Sequence, residues 1–91
     1  MAKLTPKQLT AELSTLDGWE IDEGVLCTCF DLFNFVNAMG FVNSVALLSE
    51  RANHHPEILI QWNKVTILLS THSEGGITEK DFQLAREIEE L

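Results

Sequence analysis

The stretch Pro56-Glu57-Ile58-Leu59-Ile60-Gln61-Trp62-Asn63-Lys64-Val65-Thr66-Ile67-Leu68-Leu69-Ser70-Thr71-His72 decides how this chain folds. Ile58, Ile60 and Trp62 alternate with Glu57, Leu59 and Gln61. Alternation at period two sends successive side chains to opposite faces of a pleated strand. Val65, Ile67 and Leu69 alternate with Thr66, Leu68 and Ser70 in the same way, and this second strand runs on to His72. Asn63-Lys64 between them reads as a turn, so the strands pair antiparallel as a hairpin. Counted outward from that turn, His72 comes back near Pro56.

Upstream, residues 34–52 contain no proline and one glycine, Gly40. Phe35, Met39, Val42, Ala46 and Ser49 share one helical face, and Phe41, Val45 and Leu48 broaden it. Gly40 costs about 1 kcal/mol relative to alanine in an exposed helix. Close approach of another backbone would explain it. Pro56 pushes its predecessor toward extended backbone, so the helix stops before His55.

Downstream, residues 73–76 are a loop. Thr78 caps a last helix, Asp81 takes the capping-box position, and Ile77 staples onto Phe82. Phe82, Ala85 and Ile88 then recur at helical spacing. The first helix starts in the same manner, with Thr5 as cap, Pro6 at the first position, Gln8 in the box and Leu4 against Leu9. Leu9, Leu13 and Leu16 continue it, and Asp17-Gly18 ends it. Between them, residues 19–21 and 25–30 form a second hairpin around the turn Asp22-Glu23-Gly24. The order is α-β-β-α-β-β-α. It predicts an α+β fold, a four-stranded antiparallel sheet with three helices packed on one face. At 91 residues the chain is expected to be a single domain, residues 1–91. A chain this short buries about 60–65% of its unfolded surface, so an active site is expected in a groove or a cleft between subunits.

The formal net charge is −8. That opposes nucleic-acid or anionic-membrane binding by bulk electrostatics. No apolar run approaches the roughly 18 residues of a membrane span. The first residues lack the apolar core of a signal peptide. Cys27 and Cys29 fall on one face of a strand, too close in sequence for an easy disulfide, and read as small core or half-buried residues in a reducing compartment. A cytoplasmic location follows as the expectation.

The chemistry rests on three histidines, His54, His55 and His72. An imidazole gives or takes a proton near neutral pH. Glu50 lies four residues before His54, where its carboxylate could orient that ring. Other readings exist. Histidines at a helix end can be polar residues near a favourable dipole. Three histidines can bind zinc, but adjacent His54 and His55 point apart in an extended segment and no His-Glu-x-x-His pattern is present. Asp81 is explained by capping alone, and Trp19 and Trp62 by core packing.

Residues 50–81 read Glu-Arg-Ala-Asn-His-His-Pro, five residues, Trp62, nine residues, His72, eight residues, Asp81. This pattern resembles the signature of the pterin-4a-carbinolamine dehydratases, also known as dimerisation cofactors of a homeodomain transcription factor. The phrases Asn-His-His-Pro-Glu, Asn-Lys-Val and Leu-Ser-Thr-His match, as does Gly18-Trp19 after a first helix. The resemblance implies dehydration of a 4a-hydroxytetrahydropterin to the quinonoid dihydropterin, with no cofactor and no metal. It implies His54, His55 and His72 as the catalytic trio. Asn53, Ser70, Thr71 and Ser73 would line the pterin site, with Trp19, Glu50 and Asp81 in support. Two positions depart from some animal members, with Asn53 in place of Asp and Ser73 in place of Glu. The resemblance also implies a homodimer or homotetramer, and in some members a protein partner in a secondary role. The broad apolar helix would be the interface of such a non-catalytic, partner-binding module.

Overall fold

A computed structural model describes residues 2–91 of the chain. Its elements are α1 (Pro6–Leu13), β1 (Glu20–Asp22), β2 (Val25–Asp31), α2 (Phe35–Ala52), β3 (Glu57–Gln61), β4 (Lys64–Leu69) and α3 (Glu79–Glu89). Three helices and a four-stranded antiparallel sheet therefore follow the expected order. The strand order is β1-β2-β4-β3. Each hairpin supplies one edge, and β2 pairs with β4 in the middle, with Leu26 opposite Leu69 and Phe30 opposite Val65.

Both hairpin turns use left-handed backbone. Glu23 and Gly24 take φ of 50° and 77°, the two positive values that let a two-residue turn match the strand twist. The second turn is one residue earlier than the alternation suggests. Gln61 pairs with Lys64, so Trp62 and Asn63 are the loop. Trp62 has φ 58° and is 83% exposed, so it continues neither the strand nor the core. Turn geometry overrides the period-two pattern here.

β4 ends at Leu69 rather than His72. Thr71 makes an isolated bridge to Gly76, and His72–Glu74 form a single 3₁₀ turn closed by Gly75 at φ 73°. α1 ends at Leu13, with Ser14 as its cap, five residues before Gly18. Leu16 is buried from the turn that follows the helix, not from the helix itself.

The core lies between one face of the sheet and the helices. Leu26, Val65, Ile67 and Leu69 meet Ala38 and Val45 of α2 and Phe82, Leu84, Ala85 and Ile88 of α3. Phe30 joins Trp19 edge-on and Phe41 at 4.8 Å between ring centres. The buried stripe of α2 is Ala38, Val45 and Ser49, with Phe41, Val42 and Leu48 beside it. Of the expected face only Phe35 and Ala46 are exposed, so the packed stripe centres on the residues that broadened that face; Val36 and Leu47, outside it, are exposed too. Nothing lies within 4 Å of a Cβ built at Gly40, so no close backbone explains that glycine. Cys27 is half-buried and Cys29 exposed, because β2 turns Leu26 and Phe30 to the core. Among the described residues no helix is long and apolar enough to cross a membrane.

Candidate active site

β3 begins and β4 ends at the same end of the sheet, since Glu57 pairs with Leu68. His54 and His55 precede β3 and His72 follows β4, so all three histidines gather there.

The local chain explains how His54 is presented. Asn53 caps α2 in the left-handed region at φ 51°, ψ 44°, a conformation asparagine tolerates better than most side-chain-bearing residues. Its N–H donates to Glu50 and Ser49, and the His54 N–H donates to the Ser49 carbonyl at 3.1 Å. That last bond spans five residues, as in a Schellman ending. The reversal turns His54 back toward the start of α3.

There Nε2 of His54 lies 2.5 Å from Oδ1 of Asp81, which is fully buried. Asp81 stands at the third position of α3, where its Oδ2 accepts the Thr78 N–H at 2.8 Å. The same Oδ2 accepts the Thr71 hydroxyl at 2.8 Å, and the Thr71 and Thr78 hydroxyls are 2.8 Å apart. With Asp81 as a carboxylate the hydrogens fall into one order. Thr71 donates to Asp81, Thr78 donates to Thr71, and Thr78 accepts from Lys80 N–H. His54 then carries a proton on Nε2, directed at Oδ1 of Asp81. Among the described residues no buried side-chain polar atom is left without a partner, as a low-dielectric network requires.

His55 is held differently. Its Nε2 lies 2.7 Å from Oε1 of Glu50, with side chains 60% and 78% exposed. Glu50 therefore orients His55, not His54, because the left-handed cap rotates the chain between them. Asp81 does more than cap: one oxygen closes the capping box and the other orients His54. A sequence pattern shows the box, but only folding shows what the second oxygen meets. Thr78 escaped the sequence reading as a site residue for the same reason.

Other expected site residues divide. Thr71 joins the network, and His72 and Ser73 follow it in the exposed 3₁₀ turn. Ser70 is half-buried. Trp19 does not join. It is 6% exposed, packs on Phe30 and donates from Nε1 to Glu89 at 3.2 Å. Glu89 lies eight residues beyond Asp81, about 12 Å along the helix. Trp19 thus offers no open face for a flat ligand, and Trp62 sits at the other end of β3.

A groove of about 370 Å³ borders His54 between the end of α2 and α3, with Arg51, Lys80, Gln83 and Glu87 among its walls. Burial, then Glu20 and Asp22, push the Cys27 thiol above its ordinary value, so that sulfur is no ready nucleophile. Among the described residues no three His, Cys, Asp or Glu side chains are grouped to hold a metal ion. The histidine end can orient, give and take protons.

A sequence profile of the family described as pterin 4 alpha carbinolamine dehydratase matches residues 2–91. A protein of Mycobacterium sp. (strain JLS) is 50% identical over the whole chain and 97% of its own length. One of Acidobacterium capsulatum is 46% identical over the whole chain and 99% of its length. Both carry the provisional name pterin-4-alpha-carbinolamine dehydratase. The crystal structure of a transcriptional coactivator/pterin dehydratase from Brucella melitensis superposes with a TM-score of 0.93 at 36% identity, covering 97% of this chain and 96% of that one. A pterin dehydratase-like protein identified as a RuBisCO assembly factor in the alpha-carboxysome shares the fold at a TM-score of 0.64 and 22% identity, over 79% of this chain and 83% of that one.

Proposed function

Since this chain belongs to the pterin 4 alpha carbinolamine dehydratase family, we propose that it dehydrates a 4a-hydroxytetrahydropterin to the quinonoid dihydropterin in pterin recycling, as a cytoplasmic enzyme. The carbon–oxygen bond at 4a breaks as a proton reaches the departing hydroxyl. The neighbouring ring nitrogen gives up its own proton as the carbon–nitrogen double bond forms. One water leaves and no electrons are exchanged with a third reactant. Two imidazoles on opposite sides of the 4a centre suit these transfers. In this reading His54 and His72 move the protons, and His55 positions the pterin. Asn53, Ser70, Thr71 and Ser73 line the ring site, with Glu50 and Asp81 in support.

The observation that carries the reading is the buried Asp81 held against His54 Nε2. A carboxylate behind an imidazole fixes its tautomer and aim, so Nδ1 is the reacting nitrogen. A stopped-flow assay on a 4a-hydroxypterin generated in situ tests it. His54→Ala and His72→Ala should each lose about 10²–10⁴ in rate. Both variants staying within a few-fold of wild type would remove the assignment.

A second role rests on exposed apolar side chains. Phe35, Val36 and Leu47 on α2 and Leu59 on the β3 edge are 50–77% exposed. Such a surface suits a homodimer or homotetramer, and in a secondary role a protein partner. Sedimentation of wild type against Leu47→Glu tests self-association. A monomer in both cases, with no stoichiometric partner retained from native lysate, would remove this role.

A further inference from the structure

We infer that the groove beside His54 is a subsite for an anionic substituent on the pterin, a phosphate ester or a carboxylate held by Arg51 and Lys80. This rests on the pterin reading above and says which pterins the site favours.

The groove's volume of about 370 Å³ falls within the range of about 300–1,000 Å³ usual for small-molecule sites. The chain holds only six Lys and Arg against fourteen Asp and Glu. Two of those six, Arg51 and Lys80, wall this one groove. Arg51 comes from the last turn of α2 and Lys80 from the first turn of α3, so the cations face the groove from two elements. Gln83, three residues after Lys80, adds an amide on the same helix face.

The local charge decides the ligand's sign. The carboxylate in the wall, Glu87, lies 3.5 Å from Arg51 Nη2. That contact uses one corner of a guanidinium with five N–H donors and leaves the rest available. Asp81 is occupied by His54, Thr71 and Thr78. Among the described residues the salt bridges involve Arg51, His54, His55 and Arg86, so Lys80 enters none. The net charge of −8 opposes an anion at long range. Salt screens that opposition beyond about 8 Å, whereas Arg51, 68% exposed, and the exposed Lys80 would meet an anion at contact distance, well inside that length. A neutral hydroxylated side chain would leave both cations without a ligand partner.

The test uses three stable 7,8-dihydropterins. One has a neutral hydroxylated side chain, one is its phosphate ester, and one ends in a glutamyl carboxylate. Each is titrated by fluorescence into wild type, Lys80→Gln, the Arg51→Gln/Lys80→Gln double variant and Lys64→Gln, a charge control on β4. We expect at least one anionic pterin to bind wild type about tenfold tighter than the neutral one, in line with one or two charge-assisted contacts. Whichever anion wins identifies the group. The advantage should shrink with salt, fall to within about twofold in the double variant and persist in Lys64→Gln. Equal affinities for all three pterins, no binding by any, or an advantage that survives the double substitution would overturn it. Turnover of the neutral carbinolamine is measured separately. Equal affinities with turnover intact remove the subsite alone, and absent turnover removes the dehydratase reading.

Discussion

Asp81 joins two jobs in one side chain: Oδ1 meets His54 Nε2 at 2.5 Å while Oδ2 closes the capping box of α3 on the Thr78 N–H at 2.8 Å. The helix start and the catalytic candidate therefore share a single buried carboxylate. Losing it should weaken the fold and the chemistry together.

Asp81→Asn tests that sharing. The carboxylate accepts from His54, Thr71 and Thr78, and no placement of an amide can accept all three donors. We expect kcat to fall at least about 10–100-fold, the scale on which losing a carboxylate behind a metal-bound histidine acts. Urea unfolding should show a loss of about 1–3 kcal/mol for buried polar groups left unmatched. A change in KM with kcat intact would contradict the orienting role.

Thr71→Val separates the two jobs. It keeps the shape and removes one donor to Oδ2 and the acceptor of the Thr78 hydroxyl. Stability should drop by about 1–3 kcal/mol. The His54–Asp81 contact remains, so kcat should fall less than in Asp81→Asn. An unchanged urea midpoint would mean that the threonine pair contributes nothing.

Asn53 has a backbone role before any ligand role. At φ 51°, Asn53→Ala should cost up to about 1 kcal/mol, because asparagine tolerates left-handed backbone better than alanine does. Asn53→Gly suits that conformation, so it should melt at or above the wild-type temperature. If the asparagine also touches the pterin, the glycine variant keeps its stability and shows a raised KM. Unchanged KM in Asn53→Gly would leave the residue as a cap alone.

The two thiols should react in a fixed order. Burial, Glu20 and Asp22 all disfavour the Cys27 thiolate, and Cys29 is the exposed one. The thiolate is the reacting form. Limited iodoacetamide at pH 8, followed by peptide mass spectrometry, should place the first adduct on Cys29. Raising the pH should speed Cys27 as its proton is lost. First labelling of Cys27 would contradict this order.

Much of the fold could be read directly. Thr5 with Gln8 and Thr78 with Asp81 mark helix starts, because capping partners lie three residues apart and need no distant help. Alternation in residues 57–62 and 65–70 gives two strands for the same local reason, with their ends set elsewhere. The misreadings occur where backbone geometry competes with pattern. Trp62 completes an alternation yet sits in a left-handed turn. His72 continues a strand-like run yet begins a 3₁₀ turn after the Thr71–Gly76 bridge. The α2 stripe centres on the residues that broadened the expected face because the helix packs on both the sheet and α3, and no local signal sets that shift.

By themselves, the residues determined the elements, their order and the family pattern running from Glu50 to Asp81, since each is a matter of spacing along the chain. Tertiary structure decided that β2 pairs with β4, that Asp81 rather than Glu50 stands behind His54, and that Trp19 is core. Those outcomes depend on residues 27 to 70 positions apart meeting, as His54 with Asp81 and Trp19 with Glu89 do. Such meetings are selected by burial and hydrogen-bond satisfaction over the whole molecule, which no local window contains.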